Sequence, residues 1–121
     1  MRRTLMQVYV RNSAAAVELY SEAFDAVIGD DWRNPDGSCA HVELDVGGQI
    51  IAVSEAPGDV MYGSSMQFCL HYEKNEADKV RMAYEILSKG ANVVCALGPC
   101  AYSDCMFSLF DRFGVYWCVF C

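Results

Sequence analysis

His41 and Glu43 stand two residues apart in the alternating stretch HisValGluLeuAspVal, residues 41–46. Side chains two apart on a strand share a face. An imidazole and a carboxylate so placed could share a proton or a cation. Such a pair serves general acid–base chemistry where a substrate atom comes within hydrogen-bond reach. It serves equally as a histidine tied to a carboxylate at a cavity edge, or as a solvated strand face. The sequence leaves these readings open, and no catalytic residue is assigned beyond this pair. The only other histidine, His71, ends a second alternating stretch and is expected to be exposed.

Sulfur is the second chemical resource. Seven cysteines occur, at 39, 69, 95, 100, 105, 118 and 121. The run Cys95-x4-Cys100-x4-Cys105 contains no CxxC pair and matches no zinc ribbon. Several cysteines lie in apolar stretches, GlnPheCysLeu at 67–70 and TrpCysValPheCys at 117–121, where cysteine acts as a small buried hydrophobe. A reactive thiol needs a nearby cation or helix N-terminus, and the pattern puts neither beside Cys69 or Cys118. The odd count points to reduced thiols and a cytoplasmic protein. So does the start of the chain, which has two arginines but no apolar signal-type core. No cofactor is expected. Gly47-Gly48 sits between strands rather than before a helix, so it is no phosphate cradle. No Gly-x-Ser-x-Gly elbow is present.

Nine basic and sixteen acidic residues give a net charge of −7. That balance excludes a nucleic-acid footprint and disfavours an anionic membrane surface. No apolar run approaches the roughly 18 residues needed to span a bilayer. The 121 residues, 54% of them apolar, are sized for one domain with a real core.

The elements that must position these groups form one pattern written twice. Leu5 to Val10 alternates as a strand. Asn12 and Ser13 offer a helix cap, and Ala16, Val17, Leu19, Tyr20, Ala23 and Phe24 make an apolar stripe over about 13–25. GlyAspAspTrpArgAsnProAspGlySer, residues 29–38, reads as a loop. His41–Val46 and Gln49–Ser54 form a hairpin across Gly47-Gly48. A connector at 56–65 leads to the second copy. There Gln67–Tyr72 is a strand, and Asn75 caps a helix over about 75–89 with Val80, Ala83, Tyr84 and Leu87 inward. Strands follow at Ala91–Leu97, Cys105–Phe110 and Val115–Phe120, with a turn at Gly98-Pro99. Asn12 falls on Asn75 and Val17 on Val80. The reading is one domain over residues 1–121, with modules at about 1–60 and 61–121.

Three segments carry a resemblance: AlaValGluLeuTyrSerGluAlaPhe at 16–24, HisValGluLeu at 41–44 and AspArgPheGlyValTyrTrp at 111–117. In this order they resemble the vicinal oxygen chelate superfamily of glyoxalase, bleomycin-resistance and dioxygenase proteins. The last is similar to the ending of its PhnB-like branch. CysAlaTyrSerAspCys, residues 100–105, departs from the Trp-Gly segment usual there. The resemblance implies an α+β fold of two βαβββ modules, with mixed sheets curled around a concave cavity and helices on the convex side. It also implies pairing of chains into a homodimer. Metal-dependent members hold a metal with four ligands, and those positions map near Leu5, Ala52, Gln67 and Cys118. Leucine and alanine offer no lone pair, so metal chemistry is not expected.

Alternation then sorts the faces. Val42, Leu44, Ile51 and Val53 must meet a helix, leaving His41, Glu43, Asp45, Ile50, Ala52 and Ser54 opposite. By the same test Gln7, Tyr9, Gln67, Cys69 and Cys118 face away from the helices. Trp32 is read as a lid or as a loop anchor. The expected ligand-contacting set is therefore Gln7, Tyr9, Trp32, His41, Glu43, Gln67, Cys69 and Cys118. The expected partner is a small, partly apolar molecule, neutral or cationic because of Glu43 and the acidic chain. The leading function is a metal-free small-molecule binding protein. The alternatives are a lyase or isomerase using His41 and Glu43, a metalloenzyme recruiting Gln67 and Cys118, or an interaction protein with a vestigial cavity.

Overall fold

The computed structural model describes all 121 residues, Met1 to Cys121. They divide into two compact units, Met1–Met61 and Tyr62–Cys121. Each unit is a βαβββ module with one four-stranded mixed sheet.

Unit 1 runs β1 (Met6–Val10), α1 (Ser13–Phe24), β2 (Val27–Arg33), β3 (Cys39–Val46) and β4 (Gln49–Glu55). The sheet order is β1-β4-β3-β2. β1 lies parallel to β4, and the other pairs are antiparallel. The β3–β4 register matches the expected one, Val46 opposite Gln49, Leu44 opposite Ile51 and Glu43 opposite Ala52. Gly47 and Gly48 take φ of 60° and 93°, the left-handed pair that a two-residue hairpin turn demands. Val42, Leu44, Ile51 and Val53 are buried together with the α1 stripe Ala16, Val17, Leu19, Tyr20, Ala23 and Phe24. α1 packs on β1, β3 and β4.

Unit 2 runs β5 (Phe68–His71), a 3-10 turn at Lys74–Glu76, α2 (Ala77–Leu87), β6 (Asn92–Cys100), β7 (Ser103–Phe110) and β8 (Tyr116–Phe120). Its sheet order, β5-β8-β7-β6, repeats that of unit 1. Val80, Ala83 and Leu87 are the buried face of α2, which packs on β7 and β8. Phe68 stacks on Trp117 with centroids 4.9 Å apart. No helix is long and apolar enough to cross a membrane.

Four local expectations fail, each for a physical reason. The segment read as a loop contains β2, whose seven residues are all exposed. This strand buries neither face, so no apolar alternation marks it. Its ladder with β3 is also interrupted twice, between Ile28 and Asp31 and between Trp32 and Arg33. The turn expected at Gly98-Pro99 lies inside β6, another edge strand with shifted register. An irregular edge tolerates a proline without a donated hydrogen bond.

The other two failures concern helix caps. Asn12 is left-handed, φ 60°, and its side chain caps nothing. Glu55, at the end of β4, accepts from the Asn12 and Ser13 backbone N–H groups and from the Ser13 hydroxyl. Asn75 lies within the 3-10 turn, where Glu73 and Glu76 form a reciprocal capping box. α2 itself therefore starts at Ala77, two residues later than expected.

Candidate functional site

The face of sheet 1 turned away from α1 is built in two rows. Gln7 on β1 is the register partner of Ala52 on β4, which pairs in turn with Glu43 on β3. In the next row Tyr9 pairs with Ser54, and His41 pairs with Trp32. Alternation on three strands places these side chains together because Val42, Leu44, Ile51 and Val53 are claimed by the helix. Gln7, Tyr9, Trp32, His41 and Glu43, all expected from sequence to line a site, thus share one face of unit 1. Trp32 reaches it from β2 rather than from a loop. Gln67, Cys69 and Cys118 belong to unit 2.

Glu43 is the hub of the first row. Its Oε1 accepts from Arg3 Nη2 at 2.6 Å and lies 2.9 Å from His41 Nε2, while Oε2 accepts from Arg3 Nη1 at 2.9 Å. The residue is only 5% exposed. The Arg3 guanidinium, and next the His41 ring, hold its carboxyl down at about 2. Such a two-pronged guanidinium–carboxylate pair is strong and geometrically specific. The second row is also satisfied internally. Gln7 donates its amide N–H to Ser54 Oγ, and Ser54 donates to the Ala40 carbonyl, both at 2.9 Å. The floor is therefore a closed polar network, and over it Tyr9 and Trp32 present largely exposed rings.

This corrects the expectation that Glu43 stands open on the face away from the helix. Glu43 is buried, and its charge is neutralised from within by Arg3. Arg3 lies ahead of β1 in a stretch with no periodicity, so alternation could not place it. The one available signal was a basic residue near the start of a strand that lies one strand, β4, away from β3.

The four positions mapped for a metal do not form a centre. In unit 1, Leu5 and Ala52 have no donor atom, Ala52 is fully buried, and both oxygens of the neighbouring Glu43 are already engaged. In unit 2, Gln67 offers an amide just ahead of β5 and Cys118 a buried thiol. No three His, Cys, Asp or Glu side chains converge anywhere.

On sheet 2, Cys69 pairs with Cys118 across β5 and β8. Cys118 is buried as the apolar run suggested, but Cys69 is exposed, because β5 alternates and Phe68 and Leu70 take the inward side. His71 is exposed and stacks on Phe120, centroids 4.3 Å apart. Tyr102, not singled out from sequence, joins this face through its ring, which meets Phe120 edge-on with centroids 5.2 Å apart. It comes from the β6–β7 corner, beyond the turn expected at Gly98-Pro99. In the connector, Tyr62 lies directly over Gly114.

Comparison with known proteins agrees with this architecture. Among solved structures, a putative 3-demethylubiquinone-9 3-methyltransferase, PhnB protein, from Bacillus cereus superposes with TM-score 0.82, at 17% identity and with 98% of each chain covered. Protein PA1353 from Pseudomonas aeruginosa gives 0.81 at 20% identity, covering 100% of this chain and 98% of that one. The fosfomycin resistance protein FosX from Listeria monocytogenes gives 0.72 at 10% identity, covering 98% and 91%. The uncharacterized protein Rv0887c of Mycobacterium tuberculosis is 29% identical over 117 residues, covering 89% of this chain and 67% of that protein. The model of the Glyoxalase/Bleomycin resistance protein/Dioxygenase superfamily matches residues 4–119. With nearly its whole length matched, and with two βαβββ modules bearing helices on one face of each sheet, the chain belongs to that superfamily.

Proposed function

We propose that this protein binds a small, partly apolar molecule on the face of sheet 1 opposite α1, without the family's four-ligand metal centre. The observation that carries this reading is the pairing of exposed aromatic rings with a closed polar floor. Tyr9 and Trp32 offer rings to a ligand, while Glu43, Gln7 and Ser54 are held rigid by their own hydrogen bonds. Small-molecule sites combine apolar walls with a few fixed polar groups. The ion-paired Glu43 favours a neutral ligand over a cation. His41, one-third exposed along its side chain, is the group left to orient it. Gln67, Cys69 and Cys118, expected in the same set, belong to unit 2, and this reading rests on the unit 1 residues alone.

A FosX variant was crystallised with Mn(II) and a dihydroxypropylphosphonic acid, whereas Leu5 and Ala52 supply no ligand in this chain.

A second reading, general acid–base catalysis, rests on one observation: Glu43 fixes His41 by the 2.9 Å contact to Nε2. A carboxylate that orients an imidazole is a recurrent part of such sites.

Trp32 is exposed and Trp117 is buried, so ligand binding reads out directly in fluorescence. A screen of small neutral aromatic compounds should find ligands that change Trp32 emission and raise the melting temperature. Trp32→Phe should abolish the optical change, and Tyr9→Ala should weaken binding. Ligands whose affinity ignores both substitutions would overturn the site. Turnover of a bound ligand that stops in His41→Ala would decide for the second reading.

A further inference from the structure

The face of sheet 2 turned away from α2 carries sulfur in an arrangement that the binding site on sheet 1 does not use. Cys69 and Cys118 are register partners on adjacent parallel strands, so their side chains leave the sheet side by side. The Cys69 thiol and the Tyr102 hydroxyl are electrostatic neighbours of the Cys118 thiol. Cys100 is a further neighbour of the same hydroxyl. Tyr102 comes from the β6–β7 turn, and its ring meets Phe120 edge-on with centroids 5.2 Å apart. That contact holds the phenol over the β5–β8 strand pair. Cys118 is buried and Cys69 exposed, so the thiol pair has an anchored side and an open side.

The chemistry of this pair narrows its use. Cys118 is buried, away from solvent and soluble partners, which makes it a poor nucleophile and a poor redox sensor. Coordination differs, because a metal ion displaces the proton and takes the thiolate as ligand. A tetrahedral zinc site needs four donors, and not even three ionisable donors converge. Two adjacent soft donors suit a soft ion of low coordination number instead.

We propose that Cys69 and Cys118 form a two-coordinate site for a monovalent thiophilic cation of the cuprous class. Binding replaces two S–H bonds by two S–metal bonds and releases two protons to solvent, with no change of oxidation state. Two thiolates and one monovalent cation leave a single negative charge on the sulfur pair. Tyr102 donates a hydrogen bond toward that charge.

Silver(I), which shares this coordination chemistry and is redox-inert, is the probe. Reduced full-length protein is titrated anaerobically against a competing chelator, and native mass spectrometry reads stoichiometry and proton loss. One tightly held ion with loss of two protons is expected. Cys69→Ser, on the exposed partner, should keep its circular dichroism and lose affinity by more than the ~10–100-fold typical of a lost supporting contact. Tyr102→Phe should cost about tenfold, the effect of removing a supporting hydrogen bond. Cys95→Ser, another exposed thiol, should change nothing. Retention of the tight ion by a folded Cys69→Ser protein would overturn the proposal. So would wild-type protein that spreads silver over several thiols with no tight first equivalent.

Discussion

Arg3 and Glu43, forty residues apart, meet in a two-pronged ion pair that closes one row of the sheet 1 face. The arginine precedes β1, and the carboxylate sits on β3, separated from β1 by β4. The small side chain of Ala52 between them leaves the long guanidinium room to cross the sheet.

This pair makes stability depend on acid. Glu43 ionises near 2 in the fold and near 4.5 when unfolded. A depressed carboxylate stabilises the native state above its unfolded pKa, and that contribution fades as pH falls through the folded value. The melting temperature should therefore drop between pH 4.5 and about 2, and Glu43→Gln should flatten that part of the profile. Arg3→Met should lower the melting temperature at pH 7 by stranding a buried carboxylate. Adding Glu43→Gln to Arg3→Met should recover part of the loss. Thermal denaturation of the four proteins across pH tests the coupling.

Asp111 holds the turn into β8. It is 4% exposed. Its Oδ1 accepts from the Phe113 and Val115 N–H groups, and its Oδ2 from Trp117 Nε1 at 2.8 Å. An amide would turn one acceptor into a donor facing an N–H. Asp111→Asn should cost about 1–3 kcal/mol, the range for leaving a buried polar group unsatisfied. Urea unfolding followed by Trp117 emission measures it.

Legibility from sequence tracked burial. Wherever one side of an element packs on a helix, as with Val42, Leu44, Ile51 and Val53, alternation gave face and register correctly. β2 and the Gly98-Pro99 part of β6 escaped because these two irregular strands bury no regular row. The site residues on β1 and β3 were found by subtraction, as what the helix did not claim. Arg3, Tyr102 and Glu55 were invisible to that logic, since each acts across long sequence separations from a strand end or an irregular segment. The cap at Asn12 was a local inference defeated by a tertiary contact. Asparagine is there because it tolerates the left-handed backbone, while Glu55 does the capping.

That reassignment predicts an inversion of the usual cap substitutions. Asn12→Gly should be near neutral, because glycine suits φ of 60° and no side-chain bond is lost. Glu55→Ala should cost about 0.5–2 kcal/mol, the range for losing a helix cap. Chemical denaturation ranks the two. A larger loss in Asn12→Gly would return the cap to asparagine.

Gly114 separates strain from crowding. It takes φ of 84°, and a Cβ added there would clash with the Tyr62 ring. Tyr62 is exposed and free at its outer edge to swing aside, whereas the backbone angle is fixed by the Asp111 turn. Gly114→Ala should destabilise by about 1 kcal/mol or more through the left-handed backbone. Tyr62→Ala in the same chain should restore little of it. Full recovery in the double variant would assign the cost to the ring.

The expected homodimer can be tested on β2. This strand pairs only with β3, and its other edge offers unpaired backbone groups. Val27, Ile28 and Trp32 are 68%, 45% and 67% exposed, apolar area that a small chain gains by covering. Asp30, Asp31 and Arg33 share the strand and would limit open-ended stacking, as charges on sheet edges do. A closed two-fold contact satisfies both features, because it pairs one patch with its own copy and then ends. Sedimentation should give a dimer at micromolar concentration. Val27→Lys with Ile28→Lys should give a folded monomer, since both side chains are outside the core. A wild-type monomer, or a dimer indifferent to the two lysines, would remove β2 from the interface.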